Sequence, residues 1–225
     1  MNRSIVLEYL SLLEQNNNQE WFHGHKEMYR AAKDAFENLV GELCVQLQRV
    51  DPAIPPLDPA KLTFKVQRDT RFSRDKSPYN PCFRAHIAPC GKLPIPVGYF
   101  LFLQPGGRSF LGGGLFADMF KDATTRIRDA IAAQGNAFQQ IVTDPAFAAF
   151  TLGGTALKQA PRGYDPAHPQ IAYIKQKSWY IEQFIPDEQV LGDDFIAYAV
   201  ENFQKMQPFN AFLNRALEGF QMPAR

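Results

Sequence analysis

Cysteine is scarce in this 225-residue chain: Cys44, Cys82 and Cys90 form an odd set of three with no C-x-x-C spacing. That excludes a disulfide framework or a thiolate zinc site as the organising device of the fold. Long apolar runs are missing too. The longest uncharged one, residues 97–103, falls far short of the roughly 20 residues a bilayer-spanning helix needs. Glu8 and Glu14 interrupt the apolar start and no small-residue cleavage site follows, so the expectation is no signal peptide, no membrane contact and a cytoplasmic protein. Neither charge is in excess. With a net charge of +1 and a sequence pI near 7.7, the chain lacks the strongly basic character of a dedicated nucleic-acid binder. Internal repeats and low-complexity tracts are also absent, which argues against solenoids and disordered linkers.

What is present is the apolar and charged balance of a chain with a packed core, and the length suits one domain over residues 1–225. Residues 1–50 read as helical. Ser4 is placed to cap a short helix carrying Ile5, Leu7, Tyr9, Leu10 and Leu13, and Asn16–Asn18 breaks it. Asn17 and Glu20 have capping-box spacing for a longer helix, with Phe22, Tyr29, Ala32, Phe36, Leu39, Leu43, Leu47 and Val50 along one face. After a proline-rich connection, residues 61–117 alternate as strands. Leu62, Phe64 and Val66 share one side of the first; Arg84 and His86 share a face of the second; residues 97–104, apolar on both faces, predict a central strand. Pro105-Gly106-Gly107 turns into a strand ending at Gly112-Gly113-Gly114, so the strands form an antiparallel meander. Asp118 is placed to cap helices over 118–150. A late strand over 176–186 and a C-terminal helix over 193–220, headed by Asp193 or Asp194 and kinked or split at Pro208, complete the pattern. The fold class expected is α+β, a mainly antiparallel sheet packed with N-terminal, middle and C-terminal helices.

Charge is segregated within the near-neutral whole. Residues 61–84 hold seven Lys or Arg against two Asp, and residues 158–177 hold four against one. Such focusing suits an anion site. The densest stretch, Arg68 to Tyr79, offers the forks of Arg68 and Arg71, the Lys76 ammonium and the Ser77 hydroxyl, with Asp69 or Asp75 to orient an arginine and Phe72 and Tyr79 interleaved. The same residues also suit a loop ordered by its own ion pairs.

That run, RDTRFSRDKSPYNP, together with NNNQEWFHGHKEMYRAAKDAFE, the GYFLFLQPGG and LGGG stretch, APRGYDPAHP and the closing QPFNAFLNRAL, resembles the domain of unknown function 2461 family over nearly the whole chain. The family pattern usually has Lys after Pro-Tyr, where this chain has Asn80. The resemblance implies that the arginine loop and the segment around residues 161–177 are signature elements of one fold. From the two charge excesses, the expectation is that Arg68, Arg71, Lys76, Ser77 and Tyr79 meet Arg162, His168, Lys175 and Lys177 around one anionic ligand.

Other constellations are weaker. His23 and His25, two apart on a helix, diverge by about 200° and cannot chelate one metal. His86 and His168, with Asp69 or Asp165, are the candidate acid–base residues. The glycine triplet lacks the Lys-Ser/Thr of a phosphate loop and suits close packing. No metal or cofactor motif and no Ser-His-Asp arrangement stands out, and neither reaction type nor oligomeric state has a signature. The first expectation is binding of, or action on, a phosphorylated or otherwise anionic small molecule through the arginine loop. The alternatives are a non-enzymatic interaction protein with a structural ion-paired loop, then a nucleic-acid-binding module.

Overall fold

In the computed structural model, which describes residues 3–116 and 120–222, the N-terminal periodicity resolves into three helices. Helix α1 (Ser4–Gln15) buries Val6, Leu7, Tyr9, Leu10 and Leu13, α2 (Gln19–Gly24) buries Phe22, and α3 (Lys26–Val50) buries Ala32, Phe36, Leu39, Leu43 and Leu47. Ser4 is the first helical residue, with Arg3 at the cap position. The expected capping box shifts by one residue. Asn18 accepts from the Trp21 amide at 2.9 Å, because the Asn17 side chain is committed elsewhere, donating to the Tyr79 carbonyl at 2.9 Å and accepting from its amide at 3.1 Å. His25 separates α2 from α3, its ring stacked on Trp21.

The strand expected over 62–67 does not form. Asp58 caps a short helix α4 (Pro59–Leu62) by accepting from the Ala60 amide. The residues that follow meet the neighbouring strand at isolated points, Thr63 with Ala85 and the Phe64 amide on the Arg84 carbonyl. The sheet comprises β1 (Phe83–Ile87), β2 (Tyr99–Leu103), β3 (Ser109–Leu115), β4 (Thr151–Gly153) and β5 (Trp179–Ile185) in the order β1-β2-β3-β5-β4. Every neighbouring pair is antiparallel, and with its helices the molecule is α+β. The glycine triplet lies inside β3 instead of ending it, and β4, three residues long, carries too little pattern to read in advance.

Between β3 and β5 lie α5 (Lys121–Ala133), α6 (Gly135–Val142), a 3-10 turn (Pro145–Ala149) and α7 (Ile171–Ile174); α8 (Asp187–Leu191) and α9 (Phe195–Ala216) close the chain. Asp118, the expected cap of α5, lies outside the described residues. Asp194 heads α9 but makes no capping bond, accepting instead from the Gln189 side-chain Nε2. Helix α9 runs continuously through Pro208. The buried side chains around it, Phe203, Met206, Phe209 and Leu213, hold the helix across the hydrogen bond that proline cannot donate.

One sheet face, including Ala85, Ile87, Tyr99, Leu101, Leu111, Trp179 and Ile181, is buried in a contiguous core with α1, α3 and α9. Helix α9 also pins the strands through polar bonds. Asn210 accepts from the Gly114 amide at 2.8 Å and donates to the Gly98 carbonyl at 3.0 Å, while Asn214 bonds both backbone groups of Val97. A side chain on Gly114, at φ +87°, would stand 2.3 Å from the Trp179 carbonyl, so glycine is required there. Among the described residues no helix is long and apolar enough to cross a membrane.

Candidate functional site

Because side chains alternate across a strand, burying Ala85, Tyr99, Leu101 and Ile181 on one face sends their neighbours to the other. The register aligns that second face in rows. His86, Phe100, Gly112 and Glu182 lie abreast on β1, β2, β3 and β5; the row beside them is Arg84, Phe102, Phe110 and Phe184; on the far side Gly114 faces Tyr180. A trough of about 360 Å³ opens where Gly112 and Gly114 leave the sheet without side chains. One wall is Phe116 stacked on Tyr180 with ring centroids 4.3 Å apart. The other is Phe64, beside Phe100 and carrying two cations, Arg84 at 5.4 Å and Lys92 at 5.7 Å from its ring centroid. Such cation–ring contacts hold the charge at the rim while leaving it open to an anion.

Besides Tyr180, three ionisable side chains face this space. His86 is buried, and its desolvation drives the imidazole pKa down to about 4 against hydrogen bonds to the backbone of Lys92 and Leu93. It is therefore neutral at pH 7 and anchors the loop that carries Lys92. The Lys92 ammonium donates to the Thr63 carbonyl at 3.2 Å. Glu182, on the opposite side, makes no ion pair or side-chain hydrogen bond among the described residues, and partial burial raises its carboxyl pKa. Among the described residues no cluster of His, Cys, Asp or Glu suits a metal ion.

The arginine loop is built from its own ion pairs. Arg68 pairs with Asp75 and donates to the Ser77 carbonyl, Arg71 forks onto Asp69 at 2.9 and 2.6 Å, and Lys76 donates to the Thr70 carbonyl. The Ser77 hydroxyl and amide, with Arg68, hold the Asp75 carboxyl far below the usual carboxylate range. Arg71, through its side-chain and backbone bonds, lowers that of Asp69. Tyr79 is buried against Phe22, ring centroids 4.2 Å apart, so only Phe72, 96% exposed, presents a ring to solvent.

The second basic segment sits elsewhere. The arginine loop leads into β1 at Phe83, whose row ends at Ile185, whereas Lys175 and Lys177 lead into β5 at Trp179. At about 4.8 Å per strand step and 3.4 Å per residue, these two strand starts lie about 14 Å apart across the sheet and about 20 Å along it. The structure does not gather Arg68, Arg71 and Lys76 with Arg162, His168, Lys175 and Lys177, because the late strand begins at the opposite end of the sheet. His168 has both ring nitrogens engaged, by the Ala132 carbonyl and the Gln170 amide; Arg162 is exposed. The trough residues Phe64, Lys92, Phe116 and Glu182 escaped the sequence reading. The face they surround was signalled by residues 97–104, apolar on both sides, whose second side no helix covers among the described residues.

In comparison with known proteins, the model of a family described as conserved hypothetical protein (DUF2461) matches residues 5–212. No curated protein and no solved structure matches.

Proposed function

This chain belongs to the DUF2461 family, and from that premise we propose that it binds a small molecule with a flat apolar body and an anionic group on the open face of its sheet. The single observation that carries this is the glycine-floored trough between aromatic walls with Lys92 at its rim. Its volume suits one small ring system. Phe100, Phe110 and Tyr180 supply ring contacts to the body, and Lys92 supplies the charge-assisted bond to the anion. His86 acts indirectly, by holding the Lys92 loop.

The test uses 1-naphthylacetate as probe in titration calorimetry. Wild type binds saturably, and Gly112→Val, which fills the floor, abolishes binding. A Cβ at Gly112 meets no unusual φ but stands 3.3 Å from the Ile181 carbonyl, so the melting temperature and circular dichroism of the variant are read beside its titration. Lys92→Ala weakens the probe about tenfold. Equal affinity in wild type and Gly112→Val would overturn the reading.

A second reading keeps anion recognition on the arginine loop, favoured by the exposure of Phe72 beside Arg71 and by Arg74, which has no partner among the described residues. An exposed tip tied by its own ion pairs suits a non-enzymatic interaction surface. Thermal-shift screening of wild type and Arg71→Ala against nucleotides, sugar phosphates and short oligonucleotides tests it. A shift seen in wild type and lost in the variant supports the loop; identical shifts remove Arg71 from it.

A further inference from the structure

Glu182 is a half-buried carboxylate facing an apolar trough with no balancing cation among the described residues. On its face of the sheet, Gly112 of β3 and Thr151 of β4 stand beside it, and Tyr180 and Phe184 are its same-face neighbours on β5. None of these carries positive charge. The nearest ionisable group along its row, His86, lies three strand steps away, about 14 Å between backbones, and is neutral. Lys92 belongs to the same far side, over Phe64. A carboxylate removed from water without a partner is costly, and binding sites tolerate it where a ligand supplies the partner.

We infer that the ligand is bipolar, carrying a basic nitrogen that meets Glu182 at one side of the trough and an anionic group that meets Lys92 at the other, with its flat apolar body over Gly112. The chemical class is a flat aromatic zwitterion with its amine and its carboxylate at opposite ends of the ring system, because the two groups of an α-amino acid share one carbon and cannot reach both side chains. This rests on the trough being the binding site. It adds a second charged contact of opposite sign, which narrows the class from aromatic anions in general.

Three probes distinguish the two claims: 1-naphthylacetate with the anion alone, 1-naphthylmethylamine with the cation alone, and 6-(aminomethyl)-2-naphthoic acid, an amino acid with the two charges at opposite ends of its ring system. Wild type binds the amino acid about tenfold more tightly than the acetate. Glu182→Gln removes that gain and leaves the acetate unaffected. Affinity for both amines in wild type rises with pH as the Glu182 carboxyl ionises, and is flat in Glu182→Gln. If the acetate binds and Gly112→Val abolishes it, but the amine adds nothing or Glu182→Gln weakens every probe alike, the bipolar assignment is wrong while the trough stands. If no probe binds wild type, both fall.

Discussion

At the level of single residues, the buried polar groups set the sharpest expectations. His86 has a native pKa near 4 against an unfolded value near 6.5. Below pH 6.5 the unfolded chain takes up a proton that the native state refuses, so stability falls as pH drops toward 4. Between pH 7 and pH 5 this one group should cost about 2 kcal/mol, measurable by urea unfolding as a steeper pH dependence in wild type than in His86→Gln. Asn210 bridges the Gly114 amide and the Gly98 carbonyl; Asn210→Ala should cost about 2 to 4 kcal/mol by stranding both backbone groups. Gly114→Ala should destabilise comparably or more, since backbone stands where the methyl would go. The sequence announced His86 as a singular residue but not its burial. A pairing such as Asn17 with Tyr79, 62 residues apart, overrides the local capping preference that the Asn-rich run suggested, and no nearby residue signals it.

Among elements, helices with long apolar stripes were the most legible, because the stripe repeats over many turns: α3 and α9 appear nearly as periodicity places them. Leu62 to Val66 alternates as a strand does, yet a capped proline turn at its head converts its start to helix and leaves the rest as isolated bridges. The arginine loop was visible as a charged tract, while its geometry, each Asp closing on an Arg, lay in conformations that composition does not encode. That pairing predicts a mechanical role. Asp75→Ala releases Arg68 and Ser77 together, and limited trypsin digestion should then cut after Arg71 or Arg74 at least several-fold faster than in wild type, with the melting temperature changed little. An unchanged cutting rate would mean the backbone alone orders the loop.

For the molecule as a whole, Trp179 of β5 belongs to one contiguous apolar cluster and Trp21 of α2 packs against that same cluster. A single domain should therefore unfold in one transition, with fluorescence of either tryptophan, isolated by Trp→Phe substitution of the other, tracking far-UV circular dichroism through the same midpoint. Separate midpoints would divide the chain into two units. The whole-molecule error in the sequence reading came from topology: the two basic segments are both real, but the direction in which β5 runs keeps them at opposite corners. That same strand order has a consequence for synthesis. β1, β2 and β3 can pair as soon as residue 115 has emerged, but the strand bearing Tyr180 and Glu182 inserts between β3 and β4 only some 65 residues later. A chain still growing on the ribosome holds a half-walled face with β3 as a bare edge. The open face is thus completed only once residue 185 has been made, and a product stopped before residue 179 should aggregate through the bare β3 edge, read as its loss from the soluble fraction.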